Sequence, residues 1–363
     1  MKRWTVSLFA VALVLATVPA QAHLLGGLPR TKEGQEADAD FAPLPRAVSS
    51  FGAAVADGWL YVYGGHSGTT HEYSTDTVSG SLRRLKLADP KAWEELPSGP
   101  GLQGLAVVAH GGMIYRIGGM QPRNKPGDKA DNHSVATVAR FDPTTKKWDN
   151  FPDLPEGRSS HDAVVVGDKI VVVGGWNMKG PGSTDWFNTA VVLDFKQLPL
   201  KWQTVKQPFV RRALTAAPLS GKVYVCGGIS ADAGIKLTTN IYDPAKDLWT
   251  TGPDLPAPES NGFSPAACTA GDQLYMSLGD GKVVRLAAKG DAWEEVGMLK
   301  QSRIVHRMVA GPDNLLVVVG GASKGGNVAL TQVAQLVVNK NFSRPAFPGF
   351  LKVESDWSSL QNV

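Results

Sequence analysis

An all-β fold, a six-bladed β-propeller, is what this sequence predicts, and three observations predict it. Glycine and proline are abundant, 40 and 24 of 363 residues, beside 43% hydrophobic residues, a balance that suits many short strands joined by turns. A hairpin ending in glycine recurs six times at a spacing of roughly 50 residues, the period of propeller repeats. The second half of most units carries a tryptophan followed by Leu-Pro, as in Trp148 to Leu154-Pro155 and Trp93 to Leu96-Pro97.

Taken in chain order, the first element is an export signal. Met1-Lys2-Arg3 is basic, Val6 to Ala20 is apolar, and Ala20-Gln21-Ala22 is a small-x-small ending, so residues 1–22 read as a secretory signal peptide cleaved after Ala22. The apolar run is too short to span a bilayer comfortably. The protein is therefore expected to be secreted or periplasmic, with no membrane span after cleavage. Residues 23–34 form an N-terminal extension, 35–338 the propeller and 339–363 a C-terminal tail. The formal net charge is +4, two of which come from Lys2 and Arg3, so no nucleic-acid partner is implied.

The six second strands run Leu60–Tyr63, Ile114–Ile117, Ile170–Val173, Val223–Cys226, Leu274–Ser277 and Leu316–Val319. Each follows a tight turn of residues that tolerate positive φ, from Asp57-Gly58 to Asp313-Asn314. Each ends on glycine: Gly64-Gly65, Gly118-Gly119, Gly174-Gly175, Gly227-Gly228, Leu278-Gly279 and Gly320-Gly321. In the fifth unit Leu278 replaces the first glycine, so the backbone there is expected to differ. The sixth unit lacks its tryptophan, but Phe41-Ala42-Pro43-Leu44-Pro45 has the spacing of Trp93 to Pro97. The N-terminal strand is thus expected to complete the last blade and close the ring.

The double glycines, the aromatic wedge and the Leu-Pro step resemble the kelch repeat, over most of the chain beyond the signal. Exported kelch propellers similar in size and plan include sialic acid mutarotases, and the catalytic domain of galactose oxidase is also a kelch propeller. The oxidase resemblance implies a cysteine bonded to tyrosine at copper. Cys226 and Cys268 instead sit in apolar strand-like runs, where a thiol acts as a small hydrophobe.

The connection after the second strand shares a face with the start of each inner strand. The stretches Gly65 to Trp93, Gly119 to Trp148 and Gly175 to Trp202 exceed those in later units, so the face is built up on one side, where binding groups concentrate. Arg158-Ser159-Ser160-His161 and Arg303-Ile304-Val305-His306 begin two inner strands, and Arg211 holds the matching place in a third. Three guanidinium groups there suit an anion, or else bond loop carbonyls and hold the blades. His66, His71, Trp176 and Asn177 join them as candidate ligand contacts, and His133 lies on the same face. Histidine spacing is diffuse and no metal or other cofactor is implied. Glu72, Asp76, Asp162, Asp185 and Glu259 show no acid/base spacing. The expectation is a monomeric ligand-binding or interaction module. Its partner is a carbohydrate, another anionic small molecule, or a protein. A sugar mutarotase or epimerase is the alternative, with His161 or His306 moving a proton, and a copper oxidase ranks below both.

Overall fold

The computed structural model describes residues 41–231 and 234–334. The predicted signal, extension and tail lie outside the described residues. The chain is all-β, with two single-turn 3-10 segments as the described helical structure. No described helix is long and apolar enough to cross a membrane.

Six antiparallel meanders carry the architecture. Sheet one is Gly52–Ala56, Trp59–Tyr63, Leu82–Lys86 and Trp93–Leu96. Sheet two is Ala106–His110, Met113–Ile117, Val138–Asp142 and Lys147–Phe151; sheet three is Asp162–Val166, Lys169–Val173, Thr189–Asp194 and Trp202–Lys206. Sheet four is Thr215–Leu219, Lys222–Cys226, Thr239–Asp243 and Leu248–Thr251; sheet five is Ala266–Ala270, Gln273–Ser277, Lys282–Leu286 and Trp293–Met298. Sheet six has three described strands, Arg307–Ala310, Leu316–Val319 and Thr331–Ala334.

The turn chemistry explains the register. Asp57 and Gly58 both have positive φ, as do Ser220 and Gly221, and this mirror-image turn matches the twist of the strands it joins. Val55 consequently faces Leu60, and Leu219 faces Lys222. The apolar core fills the gaps between neighbouring sheets. Ile170 and Val172 pack with Ala106 and Tyr115, while Val223 and Val225 pack with Val171 and Val173. Phe51, Leu60 and Leu85 of the first repeat share a cluster with Val317 and Val319 of the sixth.

Glycine pairs are needed where successive repeats touch. The second glycine donates its N–H to the next repeat: Gly65 to Leu102 O, Gly119 to Arg158 O, Gly175 to Arg211 O and Gly228 to Gly262 O, at 2.7–2.8 Å. Gly321 donates likewise to Val48 O of the first repeat, at 2.9 Å. A Cβ on the first glycine has no room: at Gly64 it would meet Leu102 O at 2.4 Å, in a backbone with φ +74. Sheet five, with Leu278 there, turns back at once, and Leu278 N–H bonds Lys282 O at 2.8 Å.

The tryptophans tie neighbouring sheets as well as filling wedges. Trp148 Nε1 donates to Pro97 O, Trp202 Nε1 to Pro152 O and Trp293 Nε1 to Pro253 O. Trp93 Nε1 donates to Ala42 O at 3.0 Å. Leu44 N–H bonds Ala329 O, as Leu154 bonds Ala136 O and Leu255 bonds Leu237 O. Residues 41–45 thus make toward sheet six the bonds that 152–155 make in sheet two. They make these bonds without forming the regular strand expected from their match to Trp93–Pro97.

Candidate functional site

The start of each inner strand is a sharp step with one residue at positive φ: Ser50, Gly104, Ser160, Ala213, Ser264 and Val305. These six are joined to one another. Gly104 N–H donates to Ser50 O, Ser160 to Gly104 O, Ala213 to Ser160 O, Ser264 to Ala213 O, Val305 to Ser264 O, and Ser50 to Val305 O, at 2.7–3.3 Å. A circle of six backbone hydrogen bonds results. Five non-glycine residues held at positive φ are costly locally and need surroundings that fix them.

Above the circle stands a second tier. The residue before five of the six positive-φ positions bridges to the one after the glycine pair: Ser49 to His66, Gln103 to Met120, Ser159 to Trp176, Arg212 to Ile229 and Ile304 to Ala322. Small hairpins grow from four of these bridges, such as Trp176–Met178 with Thr184–Trp186. Together they wall a cavity of about 200 Å³ over the circle.

Arg212 dominates the cavity's electrostatics. Its guanidinium lies 3.9 Å from the Trp176 ring centroid and 5.5 Å from that of Trp186, and the two rings meet edge to face at 5.3 Å. Burial pushes Arg212 down to about 10, which leaves it cationic at neutral pH. Its charge reaches His71 and Tyr73. His71 is held below the usual imidazole range by burial and then by Arg212. Burial raises Tyr73, and Arg212 opposes that rise. His66 is lowered chiefly by burial; its Nε2 sits 3.2 Å from Glu72 O, and its ring meets Tyr73 edge-on at 4.8 Å. The buried Trp176 Nε1 has no hydrogen-bond partner among the described residues.

The floor is ionic. Arg307 donates to Asp162 Oδ1 at 2.9 Å, Phe51 O at 3.1 Å and Leu105 O at 3.2 Å. Asp162 also accepts from Ala163 N and Ala216 N. One side chain of sheet six thereby reaches the first strands of three other repeats.

Of the sequence-predicted residues, His66, His71, His161, His306 and Trp176 line this cavity, and Arg158, Arg211, Arg303 and Asn177 do not. The three arginines turn back into their own sheets instead of converging at the mouth. Arg158 donates to Gly174 O and Thr189 O, and Arg211 to Gly227 O and Thr238 O. Arg303 donates to Gly320 O and Leu330 O. Each guanidinium thus fastens the carbonyl of a first glycine, the structural use open to it from the start. Trp176 gives its face to Arg212. His133, in the hairpin of the second repeat, pairs with Asp131 at 2.6 Å and does not line the cavity. His161 and His306 are pushed down to about 3, by burial first, then by Arg158 and Arg307 for His161 and by Arg303 and Arg307 for His306. Both are neutral imidazoles; His306 Nε2 is 2.6 Å from Ser277 Oγ.

Arg212, Tyr73, Arg307 and the Asp162–Arg307 pair were missed in the sequence. Alternation carried the signal: along an extended backbone successive side chains face opposite ways. If Arg211 turns into the sheet, Arg212 faces the cavity. Among the described residues no group of three or more His, Cys, Asp or Glu is placed to hold a metal. Cys226 and Cys268 are buried and unpaired.

Comparison with known proteins identifies the repeat. Residues 37–175 match the family model described as the KLHDC2/KLHL20/DRC7 Kelch-repeats domain, and residues 157–197 match the Kelch motif. The chain is 23% identical over 222 residues to Kelch-like protein terF of Aspergillus terreus, covering 60% of this chain and 47% of that protein. It is 25% identical over 223 residues to Kelch-like protein 35 of Mus musculus, covering 60% and 33%. It is 27% identical over 254 residues to the N-acetylneuraminate epimerase of Pasteurella multocida, covering 60% and 63%. The matches thus span half or less of the two kelch-like proteins and under two thirds of the epimerase. The solved structure of YjhT superposes with a TM-score of 0.65 at 15% identity, covering 81% of this chain and 96% of that one, a likeness of fold. Residues 37–197 thus match kelch-repeat models, on an all-β, propeller-type fold.

Proposed function

We propose that this kelch-repeat protein is an exported six-bladed propeller that binds a small acidic sugar in the cavity over its central circle. The observation that carries the reading is Arg212. Its cation is held against Trp176 at 3.9 Å, on the wall of the cavity of about 200 Å³. The planar fork of a guanidinium matches the charge and geometry of a carboxylate. Ring closure by the N-terminal segment is supported by the Ser50–Val305 bond and by the Ala42 and Leu44 contacts.

Calorimetric titration of the mature protein with N-acetylneuraminic, galacturonic and neutral sugars tests the reading. Acidic sugars are expected to bind and neutral ones to bind at least about tenfold more weakly. Arg212→Met, which keeps bulk against the tryptophans, should cost roughly tenfold to a hundredfold in affinity, the range for a charged hydrogen bond. Equal affinity for acidic and neutral sugars, or an unaffected Arg212→Met, rejects it. Export is checked by the N-terminal mass of the protein recovered outside the cytoplasm, expected to begin at His23.

A second reading has one observation in its favour. His71, neutral and without a hydrogen-bond partner for its ring nitrogens among the described residues, is able to give and take a proton, as opening and reclosing a sugar ring requires. The N-acetylneuraminate epimerase relative fits that chemistry. Faster anomer exchange of N-acetylneuraminic acid, followed by proton NMR and lost in His71→Ala, is the expected result if the cavity is catalytic. An uncatalysed rate leaves binding as its role.

A further inference from the structure

The wall around the cavity has one gap, over sheet five. Five repeats carry connections long enough to build the second tier: residues 64–81, 118–137, 174–188, 227–238 and 320–330. In sheet five the connection is residues 278–281, a tight turn in which Gly281 N–H bonds Leu278 O at 2.9 Å. Four residues are too few to build an upper tier, and Leu278 stands where the other repeats have a first glycine at positive φ.

The bridge is missing there too. Phe263 holds the place that Ser49, Gln103, Ser159, Arg212 and Ile304 hold in the other repeats, directly before a positive-φ residue. Each of those five bridges to an upper strand, and among the described residues Phe263 bridges to none. Its backbone N–H turns inward to Ser260 O at 3.1 Å, and its half-buried ring lines the cavity with Ser264 and Pro265. Asn261 and Asp280 fix the low rim in this state. Asn261 Nδ2 lies 3.2 Å from Asp280 Oδ2, and Asp280 N–H donates to Asn261 Oδ1 at 3.0 Å. A fully buried asparagine makes the low rim a built feature.

We infer that the cavity receives the terminal residue of an acidic oligosaccharide, end-on, with the rest of the chain leaving across sheet five over Phe263. This rests on the acidic-sugar reading of the cavity and adds the size and direction of the ligand. The ring of walls at the other five repeats stops a linear polymer from passing through, so the end of the chain is what fits. An aromatic ring on the rim is a platform for the apolar face of the second sugar.

The experiment compares each acidic monosaccharide with its linear homotrimer: galacturonic acid with trigalacturonate, and N-acetylneuraminic acid with its trimer. Titrations use the full mature protein. The trimer is expected to bind at least about tenfold tighter than the monomer. Phe263→Ala should weaken the trimer at least about tenfold more than it weakens the monomer, so that the two affinities converge. Phe263→Leu, which keeps the bulk without the aromatic face, should lose most of the same advantage and covers the case where the alanine variant does not fold. Monomer and trimer binding equally tightly to wild type, or Phe263 variants weakening both alike, overturns the inference and leaves the acidic-sugar reading standing. Binding of neither overturns both.

Discussion

Arg307→Met removes the one side chain that spans the centre of the circle, and its cost follows from what is left behind. Three acceptors on three other repeats lose their donor: Phe51 O, Leu105 O and Asp162 Oδ1. The Asp162 side chain is 6% exposed and that of Arg307 22%, so the carboxylate stays buried when its cation goes. Removing one member of a buried pair costs about 3–5 kcal/mol. The lower end applies here, because Ala163 N and Ala216 N, at 3.0 and 2.9 Å, still donate to Asp162 and Arg307 is partly solvated. The single variant is expected to lose about 3 kcal/mol. Adding Asp162→Asn neutralises the stranded charge, so the double variant should be more stable than Arg307→Met alone, with a coupling of about 2 kcal/mol. Urea unfolding of the four proteins, followed by tryptophan fluorescence and circular dichroism, closes the cycle. Losses that add within about 0.5 kcal/mol would mean that the pair contributes nothing beyond its separate contacts, and the clamp would be refuted.

Three further expectations concern the framework. His161 and His306, pushed down to about 3 in the fold, stay neutral where the unfolded chain takes up protons. Stability is therefore full above about pH 6.5 and falls with acid down to about pH 3, by up to about 1.4 kcal/mol per pH unit for each histidine. His306→Gln should flatten the fall in melting temperature between pH 7 and 4.5, and an unchanged slope contradicts the assignment. Burial pushes the thiols of Cys226 and Cys268 up to about 12, so an aromatic disulfide reagent at pH 8 should label neither until the protein is unfolded; rapid labelling of the native protein would place a thiol at the surface. Gly174→Ala puts a Cβ 2.5 Å from Leu214 and 2.7 Å from Arg211 O at φ +68, whereas Gly58→Ala at φ +76 meets nothing within 4 Å. The first should cost at least about 2 kcal/mol and the second about 1, read as melting temperatures, and equal losses would remove the close-packing reason for the glycine pair.

The hairpins and their order were legible because their determinants are local. A two-residue turn, an apolar run and a glycine that touches the next repeat each act within a few residues, so Asp57-Gly58, Leu60 to Tyr63 and Gly64-Gly65 announce themselves. The candidate site was half legible. His66 and Trp176 were found because each directly follows a second glycine, and His71 because it lies in the insertion after Gly65. The arginines were misplaced because a guanidinium reaches far enough to turn either way, and spacing along the chain does not say which. Arg158, Arg211 and Arg303 turn to the carbonyls of Gly174, Gly227 and Gly320, which makes them part of the machinery that holds each strand end.

The neighbours of those arginines show what such a framework leaves over for a ligand. Once Arg211 is committed to the sheet, alternation directs Arg212 to the cavity, and the same step past His306 directs Arg307 to the floor. Arg307 meets Asp162 of sheet three only because the circle brings them together across 145 positions of sequence. No spacing rule along the chain contains that meeting, since it depends on how many repeats intervene and on how each steps around the centre. The same reasoning gives Leu278 its weight. Where the first glycine is replaced the connection is only residues 278–281 and turns back at once, so one segment of wall is missing and, among the described residues, Phe263 has no bridge over it. In a fold made of near-identical units, the unit that departs from the rule sets where the site opens, and Leu278 marks a departure the sequence displayed openly.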